Sequence, residues 1–67
     1  MLDNLEIISK FQTQSGFIIF LAKDEKAGTF FTGVSRDDEF NDIFGLRDYQ
    51  TYQGAKANFT NRILEMD

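Results

Sequence analysis

The chain contains no cysteine, no histidine and no proline. Without cysteine there is no disulfide, and no redox compartment can be read from the composition. Without cysteine or histidine the usual ligands of a structural zinc site are missing. Nucleophilic catalysis also loses its common base: Ser9, Ser15 and Ser35 would have to rely on lysine or carboxylate, and none of the three lies in a catalytic motif. No P-loop, no G-x-G-x-x-G and no alternating calcium loop with its central glycine is present. No cofactor, metal site or catalysis is therefore expected. The longest apolar run, "FIIFLA", has six residues, against the ~20 that span a bilayer. The opening "MLDNLEII" is acidic where a secretory signal would be basic. The expectation is a cytoplasmic protein without membrane contact.

What is present is a short, aromatic, acidic chain. Its 67 residues allow one domain, and a domain of this size buries only about 60% of its unfolded surface. Small folds add disulfides, metals or an oligomeric interface. With the first two absent, a homodimer is the expected support. Eight Phe, two Tyr and a hydrophobic content of 42% argue against disorder. Eleven acids against seven bases give a net charge of −4, which argues against non-specific binding to nucleic acid or anionic membrane.

Residues 17–23, "FIIFLAK", and 29–35, "TFFTGVS", read as two strands joined by the polar loop "DEKAG". Gly33 inside the second strand marks a bulge or a close approach. The segment around residues 4–14 fits two descriptions. As a strand it places Leu5, Ile7, Ser9 and Phe11 on one face. As a helix it has an Asp3–Glu6 capping pattern, a Leu2–Ile7 staple and a Leu5–Ile8–Phe11 stripe. The strand is favoured, with "TQSG" turning into the next one.

The stretch "SRDDEFNDIFG", residues 35–45, reads as a short helix. Ser35 and Asp38 form a capping pattern, acids occupy the first turn, Phe40, Ile43 and Phe44 share a buried face, and Gly45 ends it. From about Asp48 to Met66, the apolar stripe Tyr52, Ala55, Phe59, Ile63 and Met66 predicts a longer helix. Asn58-Phe59-Thr60 matches a glycosylation sequon within that helix and is taken as coincidence. The sum is one α+β domain over residues 1–67: a three-stranded antiparallel meander followed by a short and a longer helix packed on one sheet face.

Three strands followed by a helix resemble the topology of integrase arm-binding domains and plant ethylene-response DNA-binding domains. Those domains contact DNA through basic side chains on the sheet. The corresponding strands here carry Lys10, Lys23 and Arg36, and no motif of either family accompanies them. A nucleic-acid-binding module using the sheet face is thus the alternative function. The favoured one is a non-enzymatic, protein-binding regulator or inhibitor. Size, acidity and the lack of motifs suit small accessory proteins of phages and mobile elements that block a host enzyme. Asp24, Glu25, Asp37, Asp38, Glu39 and Asp42 would supply an acidic surface resembling nucleic acid, which a nucleic-acid-processing enzyme would accept. Ile18, Phe20 and Phe31 would supply an apolar one, because the strand at 17–22 is apolar on both faces and such patches mark interfaces.

Overall fold

The computed structural model describes residues 5–66. Four strands, β1 (Leu5–Gln12), β2 (Ile18–Asp24), β3 (Thr29–Ser35) and β4 (Ile43–Tyr49), precede one helix, α1 (Tyr52–Met66). The strands form a single antiparallel meander in the order β1-β2-β3-β4. The domain is α+β as expected, but the three-strand, two-helix architecture is overturned. Residues 43–49 are a fourth strand, and α1 starts at Tyr52 instead of near Asp48.

The physical reason is cross-strand pairing. Val34 opposes Phe44 and Ser35 opposes Ile43. Ile43 and Phe44 therefore point to opposite sides of a sheet and do not share a helical face. Gly45 has a φ of 67° and stands at a register shift between β3 and β4. It makes a bulge in the strand and ends no helix. The departure also removes the topological likeness to the three-stranded DNA-binding domains.

The N-terminal segment is a strand. Half-buried Leu5, Ile7, Ser9 and Phe11 alternate with exposed Glu6, Ile8, Lys10 and Gln12, and the register shifts between Ile7 and Ser9. The Asp3–Glu6 pattern and the Leu2–Ile7 staple lie partly outside the described residues. Helix α1 begins with Thr51, whose hydroxyl accepts the Gly54 N–H at 3.1 Å, an N-cap arrangement.

Two covers enclose β2. Thr32 bonds to Asn58 and the Phe30 ring meets Tyr52 edge-on at 5.8 Å. These contacts place Phe30, Thr32 and Val34, with their partners Lys23, Leu21 and Ile19, under α1. The opposite face carries Ile18, Phe20 and Ala22. Phe20 is 0% exposed. Its ring meets Phe40 at 5.3 Å, nearly perpendicular, so the loop of residues 36–42 is the second cover. The expectation that one face stays open for a partner therefore loses its basis. Ile18 and Phe20 are buried within the chain itself, and Phe31 is half-buried.

Gly33 is where the second cover requires space. A Cβ there would stand 2.8 Å from Phe20 Cζ and 2.9 Å from Leu46 Cδ2. Phe20 is enclosed and its ring has nowhere to go. We expect Gly33→Ala to lower unfolding free energy by about 1–3 kcal/mol, read as a lower denaturant midpoint. Unchanged stability would mean that Phe20 and Leu46 do not meet over Gly33.

Candidate functional site

The acidic stretch is used to build the β3–β4 loop. Asp37 Oδ1 accepts the Asn41 N–H at 2.9 Å and the Asp42 N–H at 3.1 Å. The Ser35 hydroxyl donates to the Asp37 carbonyl at 2.7 Å and accepts the Asp37 N–H at 3.2 Å. The Arg36 N–H bonds the Asp42 carbonyl at 2.9 Å, and Arg36 pairs with Asp42 at 3.2 Å. Glu39 accepts from the Asn41 amide at 3.2 Å. Serine and carboxylate here satisfy the donors of a closed loop, the alternative to capping that such side chains offer.

This loop holds Phe40 at a φ of 59°. A left-handed non-glycine residue costs roughly 1–2 kcal/mol. An edge-on aromatic pair returns about 0.5–1.5 kcal/mol beyond the area buried, so ring burial against Phe20 offsets the strain. Asp38 stands with Lys10, Gln12 and Ile18 around a small cavity of about 200 Å³. Asp24 is likewise engaged: its Oδ1 accepts the Lys26 and Ala27 N–H groups at 3.0 and 3.1 Å. Glu25 is exposed in that turn. The β2–β3 turn and the β3–β4 loop lie at opposite ends of the seven-residue β3, about 20 Å apart at strand rise. The six candidate acids are therefore two clusters and not one surface.

A different site lies between α1 and β4. Val34, Phe44, Gly45 and Arg47 form one wall of a groove of about 400 Å³, and Asn58, Asn61, Arg62 and Glu65 form the other. The four helix residues follow the i, i+3, i+4, i+7 spacing of one helix face. Asn58 Oδ1 accepts from the Thr32 hydroxyl at 2.6 Å and from Arg62 Nε at 2.9 Å. Arg62 Nη2 donates to the Gly45 carbonyl. One polar chain thus ties β3, α1 and β4 together at the groove floor. Burial, and then the neighbouring Arg47 charge, push the Arg62 guanidinium below its ordinary value.

Arg47 opposes Thr32 across the strands, so its side chain rises on the groove side. It is exposed and makes no ion pair among the described residues. Arg36 stacks on Phe44, 4.3 Å from the ring centroid, at the groove's end. Three of the chain's seven bases therefore gather in a protein of net charge −4. Leu64, 76% exposed, follows Asn61 by three positions and so lies on the helix surface beside it.

Sequence reasoning did not single out this site. The spacing of Asn58, Asn61, Arg62 and Glu65 was a legible polar stripe beside the apolar one. Arg47 could not be placed without β4. Among the described residues no three acids converge into a group able to hold a metal ion, and no helix is long and apolar enough to cross a membrane. Comparison with protein-family models, curated proteins and solved structures gives no match.

Two outcomes are expected. Asp42's N–H, chiefly, holds the Asp37 carboxyl below its ordinary 3.8. A depressed folded-state value adds stability above 3.8, and that stability is lost as pH falls through the lower folded value. The melting difference between wild type and Asp37→Asn should therefore be present at neutral pH and vanish in strong acid. A difference independent of pH would show that the charge does not hold the loop. Separately, Asn58→Ala leaves the buried Thr32 hydroxyl without its acceptor and should cost about 1–3 kcal/mol. Adding Thr32→Val should restore part of that loss in a denaturation cycle; strict additivity would show that the two are uncoupled.

Proposed function

We propose that this chain is a non-catalytic binding module of the cytoplasm that regulates or inhibits a partner protein by contact, and that the contact surface is the α1–β4 groove with its rim. The observation that carries this is Arg47. It is an exposed guanidinium without an ion-pair partner among the described residues, beside an open groove, with exposed Leu64 across the rim. Arginine is enriched among the residues that dominate protein interfaces, because its planar fork forms several directed hydrogen bonds at once.

Direct nucleic-acid binding through the sheet finds less support. Lys23 lies 6.0 Å from the Phe30 ring on the face beneath α1, and Arg36 is paired with Asp42. Lys10 shares its cavity with Asp38. Each of these three cations has a ring or an acid beside it, whereas binding a phosphate backbone would require several uncompensated ones.

Affinity capture from a native lysate tests the proposal when wild type is compared with the double variant Arg47→Glu, Leu64→Asp. Both side chains are exposed, so the variant should fold and melt like wild type. The expected result is a protein retained by wild type and lost by the variant. Equal retention by both, or recovery of nucleic acid in place of protein, would contradict it.

A further inference from the structure

We propose that the α1–β4 groove takes a carboxylate, presented by a short acidic segment of the partner protein and held between Arg47 and Arg62. This deepens the binding-module proposal and rests on it. Arg62 uses Nε on Asn58 and Nη2 on Gly45. A guanidinium has five N–H donors in a fixed fork, so part of its donor set remains for a ligand, and the two bonds it makes hold the fork in place. Arg47, on the opposite wall, is exposed and makes no ion pair among the described residues. The Asn61 side chain, also on the groove wall, adds a neutral donor. A carboxylate placed between two guanidinium groups makes charge-assisted hydrogen bonds, which are shorter and stronger than neutral ones. It also relieves the repulsion that Arg47 exerts on Arg62.

The local charge decides between a peptide and a nucleic acid. Arg47 and Arg62 share the groove with Glu65, and Arg36 is already paired with Asp42. The groove therefore carries a small surplus of positive charge, enough for one carboxylate. A polyphosphate strand would run on into a surface whose overall charge is −4. Its affinity depends on neutralising many phosphates at once. Addition of a whole strand to the β4 edge is also disfavoured. Gly45 and Leu46 interrupt the register, Gly45's carbonyl is taken by Arg62, and a bulged edge resists strand pairing. The recognition is then of side-chain chemistry, with exposed Leu64 offering an apolar contact beside the carboxylate.

Nuclear magnetic resonance titration of the full chain provides the test. The probe is a blocked eight-residue peptide of alternating glutamate and leucine, and an oligothymidylate of equal charge serves as control. The expected result is saturable shifts of the Arg47 and Arg62 Nε–H and Asn61 side-chain amide signals with the peptide. Arg47→Glu should weaken peptide binding by about tenfold or more, as the loss of one charge-assisted hydrogen bond implies. Lys26→Gln, in the β2–β3 turn at the far end of β3, should leave it within about twofold, a change far smaller than that loss. Shifts centred elsewhere, an oligonucleotide that binds as tightly, or Arg47→Glu that binds as well as wild type would each overturn the proposal. If partner capture depends on Arg47 and Leu64 while the peptide leaves the groove signals unmoved, the carboxylate assignment falls and the protein-binding proposal stands.

Discussion

Phe20 sets the terms for the rest of the molecule. It sits in the middle of a strand that is apolar on both faces, and none of its surface reaches solvent. Full burial of such a side chain stabilises by about 1.5–3 kcal/mol, a large share of what a domain of this size can spare. A 67-residue chain has one long helix to offer, and that helix covers the Leu21 side. The Phe20 side is closed by the β3–β4 loop, which turns Phe40 inward at a positive φ. The Gly45 bulge and the bare Cα of Gly33 belong to the same solution, because they let Leu46 approach the Phe20 ring.

That solution decides what is left for function. Asp37 and Asp42 hold the loop shut, so they serve the fold before any partner. On the apolar sheet face Ile18, Phe20 and Ala22 are buried within the chain, while Leu46 beside Phe20 stays 51% exposed. In the groove beside α1 the Thr32–Asn58–Arg62–Gly45 chain of hydrogen bonds joins three elements into a rigid floor. Rigid support beneath an exposed Arg47 is favourable for binding, since less side-chain freedom is lost on contact.

Local signals sufficed for some of this and failed for the rest. The β2–β3 hairpin was legible from β-branched and aromatic runs around a polar loop; β1 was favoured over a helix, although Ile8 and Ser9 break its alternation. The sandwiching of β2 was half legible: its two apolar faces were evident, but the second cover was not. "SRDDEFNDIFG" misled because Ser35 and the following acids would satisfy the first turn of a helix and a closed loop equally well. Spacing of 3 and 4 among Phe40, Ile43 and Phe44 fits a helix face, yet Ile43 and Phe44 alternate equally well in a strand. What tips the balance is non-local, the pairing of Val34 with Phe44 and of Ser35 with Ile43. The groove was hidden for the same reason, since Arg47 reaches Arg62 only once β4 exists.

The account stands on the closure of the second face, and ring-to-ring proton contacts report it directly. With Phe20 and Phe40 selectively labelled, nuclear Overhauser spectra should show cross-peaks between the two rings, whose centroids are 5.3 Å apart. Beyond the single turn that Phe40 N–H closes on the Asp37 carbonyl, residues 38–44 should show none of the i, i+3 contacts of a helix. Helical contacts running on through Phe40 to Phe44, with no Phe20–Phe40 cross-peak, would contradict it.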